Sequence, residues 1–440
     1  MELQLKNIGM IKEANVKIDG LTVIAGENDT GKSTVGKIIF CIIKATSRYK
    51  EDFNESKIYK IETQLDRLFF YVRRNIDFID EDNEEYYDEL KNVLSMNYYI
   101  ISNDNGKPNE YIQSLKNHLQ PLKTMIKKHD EDAIKYIDKS LSELEFIINT
   151  PEDKNKSIEN ALNKVFRSEF DSNIVSFNEN MGLIKLIENN LILLDLKIEN
   201  NKIEVINDCE PMEFDEVTFI ETPLILNNHD MLIRSQTGLD INKKGSRRLG
   251  IPYTTLHTKD LFDKLKSNGF SFFFENDFEE QIKNDIQNII NGKVIYDIDE
   301  RDFVYMRNNK KIPIKNTATG IKSFGIIQLL IDNDFINRNS VLVLDEPEIH
   351  IHPKWQLKYA QLISILVANE VPIIVTSHSP YMIEALQRYS DLKKLQDKTN
   401  FYLADNGKIE DKNKLQKIFE KLSEPFDEFD KMDSDILNGK

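Results

Sequence analysis

Cysteine is nearly absent. Cys41 and Cys209 are the only two in 440 residues, and they form neither a metal-binding spacing nor a disulfide framework. That usage points to a reducing, cytoplasmic setting. Long apolar runs are missing too, which excludes a membrane-spanning helix. The start, Met1-Glu-Leu-Gln-Leu, alternates like a strand and lacks the pattern of a secretory signal. Basic residues are outnumbered, 58 against 74 acidic, for a net charge of −16. A protein that coats DNA with an overall basic surface is therefore not expected, although a local groove is left open. The local candidates are Lys243, Lys244, Arg247 and Arg248, left undecided, and Arg307, Lys310, Lys311 and Lys315, read as solvated loop. No tandem repeat or low-complexity tract appears. The length allows one large domain with an insertion, or two or three smaller ones.

What is present begins with residues 26–34, GENDTGKST, directly after the apolar run 21–25. The run fits G-x-x-x-x-G-K-[ST], a loop whose consecutive backbone N–H groups form an anion nest for nucleotide phosphates. Gly26, Asn28, Asp29, Thr30, Gly31, Lys32, Ser33 and Thr34 are the candidate ATP-binding residues. Lys32 would meet the β- and γ-phosphates, and the Ser33 hydroxyl would ligate Mg2+. Val35, Ile38, Ile39, Ile42 and Ile43 follow at the spacing of a packed helix, whose positive N-terminal end faces the same phosphates. Strand, loop and helix stand in the required order. Upstream, residues 1–18 read as two short strands joined around Gly9.

Composition changes after the first helix. Ile58, Ile61, Leu65, Leu68 and Val72 step by threes and fours. So do Ile112, Leu115, Leu119, Leu122 and Ile126, with Pro121 as a kink, and so do Ile134, Ile137, Leu141, Leu144 and Ile148. Such seams predict short helices packed side by side, with an acidic loop at 80–85 after the first. The expected organisation is residues 1–46 and 183–440 as one α/β head, interrupted by a helical insert over 47–182. Within the second part, residues 183–206 predict a hairpin turning at Asn200-Asn201, and 217–226 a strand broken by Pro223. Helices are predicted over 260–266 and 278–290, and strands over 293–304.

The most specific run in the second half is VLVLDEPEIHIHP, residues 341–353. A buried strand delivers Asp345 and Glu346 side by side, one carboxylate for the magnesium ion and one for a general base. A second apolar strand over 371–376 ends at His378, placed to reach the γ-phosphate or orient attacking water. Glu348, His350 and His352 alternate like metal ligands, but without further well-spaced partners they are not expected to bind a transition metal. Pro353 opens a helix. Between these runs, Thr319 is predicted as the N-cap of a helix that begins with Gly320.

Three runs, GENDTGKST, LVLDEPEIHIHP and VTSHSP, resemble those of the ABC-type ATPase heads of the structural-maintenance, RecF and OLD group. The stand-alone ATPases of Septu- and PARIS-type anti-phage systems are similar in head type and in carrying a helical insert. The resemblance implies an ABC-type P-loop head, a mixed sheet with flanking helices, that hydrolyses ATP with Mg2+. It implies Lys32 on phosphate, Ser33 and Asp345 on metal, and Glu346 and His378 as catalytic residues. It also implies a homodimer or higher homo-oligomer in which Thr319, Gly320 and Lys322 of TATGIK cap ATP bound to another subunit. TATGIK departs from LSGGQ, with threonine for serine and Ile-Lys for the closing Gly-Gln. OLD-type proteins carry a nuclease domain after the head, and residues 379–440 are too few for one, so no nuclease activity of its own is expected. The expected function is an ATPase subunit of a bacterial anti-phage complex that holds and regulates a separately encoded effector, a nuclease. The alternative is a RecF-like repair ATPase that binds DNA directly.

Overall fold

Asparagine pairs punctuate the strands. Asn189-Asn190, Asn200-Asn201 and Asn308-Asn309 all have positive φ at both positions, the geometry that two-residue hairpin turns require and asparagine tolerates. The computed structural model describes residues 1–75, 113, 116, 117, 120, 131–150, 153–171, 173–239, 252–267, 277–411 and 415–437. The second heptad-like seam and Pro121, the acidic loop at 80–85 and the basic cluster at 243–248 lie outside the described residues.

The strands are β1 (Glu2–Ile8), β2 (Ile11–Lys17), β3 (Leu21–Gly26), β4 (Met181–Glu188), β5 (Leu191–Glu199), β6 (Lys202–Val205) and β7 (Glu216–Ile220). They continue as β8 (Lys293–Asp297), β9 (Asp302–Arg307), β10 (Lys310–Pro313), β11 (Ser340–Asp345), β12 (Ile373–Ser377), β13 (Thr399–Asp405) and β14 (Lys408–Asp411). The helices used below are α1 (Lys32–Asn75), α2 (Glu131–Asn149), α3 (Lys154–Phe170), α4 (Leu256–Lys266), α5 (Asp277–Ile290), α6 (Thr319–Asp332), α7 (Pro353–Ala368), α8 (Pro380–Leu392) and α9 (Gln416–Leu437).

An 11-stranded mixed sheet runs β6-β5-β4-β1-β2-β14-β13-β3-β12-β11-β7, and β8, β9 and β10 form a separate three-stranded sheet. The run β13-β3-β12-β11-β7 is parallel throughout, whereas β1, β2, β4, β5 and β6 pair antiparallel. β3, β11 and β12 are buried at every position, as strands covered on both faces must be. Leu342, Leu344, Ile373 and Val375 share one core with Phe324, Tyr359, Ile363, Met382 and Leu386 of α6, α7 and α8. On the other face α1 packs so closely that a Cβ on Gly36 would stand 2.5 Å from Val343 Cγ1.

The chain divides into two compact units, Met1–Ser47 with Ile158–Lys440, and Arg48–Ser157. The larger unit takes in Ile158–Phe170 of α3, residues that composition groups with the insert. In the smaller unit Ile61, Leu65 and Leu68 of α1 and Ile137, Leu141, Leu144 and Ile148 of α2 are buried. Tyr71 stacks on Tyr136 with ring centroids 4.0 Å apart. No helix among the described residues is long and apolar enough to cross a membrane.

Other sequence expectations are corrected. Pro223 ends the strand early: β7 stops at Ile220 and Thr222 caps a short 3-10 helix, Pro223–Asn228, through its hydroxyl. Residues 183–206 make three strands with turns at both asparagine pairs. Thr319 is the first helical residue of α6 and not its N-cap; that position is Ala318, with no side-chain cap.

Candidate functional site

Four parallel strands bring the motifs to one edge. Register pairs Asp345 with Thr376, Ser377 with Ala25 and Leu344 with Ile220. The residues that leave the ends of β3, β7, β11 and β12 therefore meet, as ligand contacts do at the carboxyl edge of a parallel sheet. A cleft of about 420 Å³ there is lined by residues 28–34 with Glu221, Asp345 and Glu346, and by Met10 and Ile349.

The loop is held open by its backbone. Gly31 has φ +89, and a Cβ there would stand 2.7 Å from Ile11 Cγ1. Thr30 Oγ1 donates to the Glu27 carbonyl at 2.8 Å, and Lys32 Nζ donates to the same oxygen at 2.6 Å. Lys32 is buried and its ammonium lies 3.6 Å from Glu346 Oε1.

Asp345 accepts hydrogen bonds from Thr376 Oγ1, at 2.5 Å, and from Ser33. Burial holds its pKa above the usual carboxylate range, outweighing those bonds, and the charges of Glu346 and Glu221 push the same way. Glu346 takes a left-handed conformation, φ +46, which is uncommon for a non-glycine residue. Its N–H donates to the Thr376 carbonyl at 3.1 Å. His378 Nδ1 lies 3.4 Å from Glu346 Oε1 and 3.5 Å from Glu348 Oε1. Lys32, Asp345, Glu346 and His378, predicted from runs far apart in sequence, are thus gathered in one place.

Glu348 organises the histidine loop. Its buried carboxylate accepts from Ser377 Oγ at 2.7 Å, His378 N at 2.9 Å and Ser379 N at 3.2 Å. Ser379 Oγ donates to Gln356 Oε1 at 2.8 Å and caps α8 at Met382 N. Glu348 is thus turned away from His350 and His352; His352 Nδ1 accepts from Lys354 N at 3.2 Å.

The donor set around the cleft suits a magnesium ion. Four carboxylates, Asp29, Glu221, Asp345 and Glu346, line it with one lysine, and Asp345 and Ser33 already touch. Among the described residues no group of three or more His, Cys, Asp or Glu is gathered as a metal cage. Magnesium takes few protein ligands and keeps water and phosphate for the rest.

Glu221 was not anticipated. It follows the apolar end of β7 as Asp345 ends β11, so the signal was an apolar strand run closed by a carboxylate. Behind it, His257 Nε2 lies 3.1 Å from Glu221 Oε2, and His257 Nδ1 pairs with Glu169 Oε1. Burial works against a charged imidazole, but the bonds to Glu169 and Glu221 outweigh it and hold His257 above its usual pKa. The bond from His257 holds Glu221 below its usual pKa, against the effect of burial.

Thr319, Gly320 and Lys322 do not line this cleft. Gly320 packs on Trp355, where a Cβ would stand 2.6 Å from ring atom Cε3. Lys322 is buried, and burial lowers its pKa. In the second basic cluster, Lys311 pairs with Asp297 at 2.5 Å and Glu300 at 3.3 Å.

The chain is 30% identical to the Septu protein PtuA of Bacillus thuringiensis over 100 residues, which are 20% of this chain and 25% of that protein. The chain thus spans about a quarter of the length of that relative. The SMC head domain of Thermotoga maritima is similar at 11% identity, covering 93% of this chain and 97% of that one, with a TM-score of 0.36. The recombination mediator RecF is similar at 10% identity over 93% and 97%, with a TM-score of 0.35. A family model described as an AAA ATPase domain matches residues 1–383, and the chain belongs to that family of ATPases.

Proposed function

We propose that the chain is the ATP-hydrolysing switch of a bacterial anti-phage complex. In this reading ATP-dependent pairing of heads, as a dimer or larger homo-oligomer, holds and regulates a separately encoded nuclease effector. The convergence of Lys32, Asp345 and Glu346 at one cleft, with His378 Nδ1 3.4 Å from Glu346, carries the hydrolytic part. The similarity to a Septu protein supports the defence setting.

The loop N–H groups and Lys32 receive the phosphates. Ser33 and Asp345 are the residues that hold Mg2+, which supplies charge neutralisation at the phosphates when bound. Glu346, beside Lys32 and His378, takes the proton of the attacking water. His378, oriented by Glu348 through its backbone N–H, reaches the γ-phosphate. Thr319 and Gly320, at a helix start without a side-chain cap and outside the cleft, are the candidates to serve ATP on another subunit, while Lys322 is buried.

Turnover by Glu346→Gln should fall about 100-fold or more with ATP affinity retained. The ATP-bound oligomer then persists and is read as mass with and without ATP. Lys32→Ala should instead weaken ATP binding itself. Normal turnover in Glu346→Gln removes that residue from the base role. Co-purification without an effector, together with unchanged phage plating when the chain and its operon neighbours are expressed, defeats the defence reading.

A further inference from the structure

A chain of three side chains, Glu169, His257 and Glu221, leads from the end of α3 to the wall of the nucleotide cleft. Its members come from three separate elements, α3, the start of α4 and the residue after β7. Glu169 and His257 are buried, with side chains 0% and 1% exposed, whereas Glu221 is 47% exposed and lines the cleft. Glu169 grips His257 twice, through the ring Nδ1 and through the backbone N–H at 3.3 Å. The imidazole is wedged between Phe219 and Phe40, with ring centroids at 4.8 and 6.2 Å. Phe40 belongs to α1, the helix that starts at Lys32, and Lys37 of the same helix stands 3.9 Å from Glu221 Oε1.

Burying a carboxylate and an imidazole between phenylalanines is costly and gives little net stability over an apolar filling of the same volume. A purely structural pair would also end in the core. This one spends its second ring nitrogen on a carboxylate that faces the cleft. Resting on the reading of that cleft as the ATP site, we propose that Glu169 and His257 are positioning residues for ATP hydrolysis. They hold Glu221 as a further carboxylate on the cleft, on a different strand end from Asp345 and Glu346. There Glu221 accepts a hydrogen bond from water beside the phosphates and fixes that water for the reaction. No covalent step is assigned to it.

The test compares full-length wild type with Glu221→Gln, His257→Gln, the double variant, Glu169→Gln and Lys32→Ala. Three quantities are measured: affinity for a fluorescent ATP analogue, kcat and KM from phosphate release, and the thermal midpoint. Glu221→Gln should lower kcat about 30-fold while affinity and KM stay within about threefold. His257→Gln should give a similar kcat loss, and the double variant no more than about twofold beyond either single one, because both act through the same carboxylate. Glu169→Gln, which still offers an amide oxygen, should lose about fivefold. Wild-type kcat in Glu221→Gln, or losses that multiply in the double variant, overturns the proposal. So does a drop in midpoint with unchanged kcat per folded molecule, the mark of a structural role. If the His257 variants do not fold, Glu221→Gln and Glu169→Gln decide alone: parallel loss of kcat at retained affinity supports the relay, and unchanged kcat in either removes it. Unaltered ATP binding in Lys32→Ala would instead sink the reading of the cleft itself.

Discussion

The two glycine-bearing helix starts of the head make an instructive pair. At α1, Gly31 with φ +89 shapes a loop whose neighbours are charged, hydrogen-bonded and lined along a cleft. At α6, Gly320 has ordinary backbone geometry and is small because Trp355 lies against it. Both runs read in sequence as phosphate-binding helix starts. In the folded chain only the first is surrounded by the groups that phosphate and magnesium require. A glycine at a helix start thus answers a backbone demand in one place and close packing in the other, and the neighbours distinguish them.

The comparison can be broken experimentally. The largest expected effect is at the support of the first site. Glu348→Ala leaves Ser377 Oγ and His378 N without their acceptor and Ser379 N with Ser377 Oγ alone, and should cost about 3–5 kcal/mol in urea denaturation. A cost below about 1 kcal/mol would mean that the loop finds other acceptors. Next come the glycines. Gly31→Ala and Gly320→Ala should each cost about 1–3 kcal/mol from strain or overpacking. Only Gly31→Ala should also weaken ATP binding to the isolated head, so equal nucleotide affinity in the two variants would erase the distinction.

A smaller effect concerns pH. His257 is held above its ordinary value of 6.5, so its imidazolium adds stability that is fully present below that value and is lost as pH rises through the higher folded value. Between about pH 6 and about pH 9 the denaturation midpoint should fall more in wild type than in His257→Gln. Parallel profiles would show that His257 is not charged in the fold. The smallest effect is Thr319→Ala, below about 0.5 kcal/mol, because Thr319 makes no cap and Ala318 holds that position. A loss near 1 kcal/mol would restore the threonine cap expected from the sequence.

Legibility followed locality. Residues 26–34 and 341–346 could be read because strand, loop and helix chemistry is adjacent along the chain. The turn at Asn200-Asn201 was read, while the same signal at Asn189-Asn190 and Asn308-Asn309 was passed over amid charged residues. Glu348 was grouped with His350 and His352 by alternation, yet tertiary contact turned it towards Ser377, His378 and Ser379. Pro223 reads in sequence as a break within a strand, whereas in the fold it is the first residue of a short helix capped by Thr222.

By itself the sequence determined a glycine-rich G-x-x-x-x-G-K-[ST] loop between a buried strand and a helix, and two further buried strands ending in Asp345-Glu346 and Ser377-His378. These depend on spacing, backbone freedom and burial patterns that act over a few residues. Tertiary structure alone decided which strands became neighbours. That order, β3-β12-β11-β7, sets Glu221 beside the cleft and stacks His257 and Glu169 behind it. Two of its three pairings join residues more than a hundred positions apart, such as Val343 with Phe219, and no local pattern encodes them.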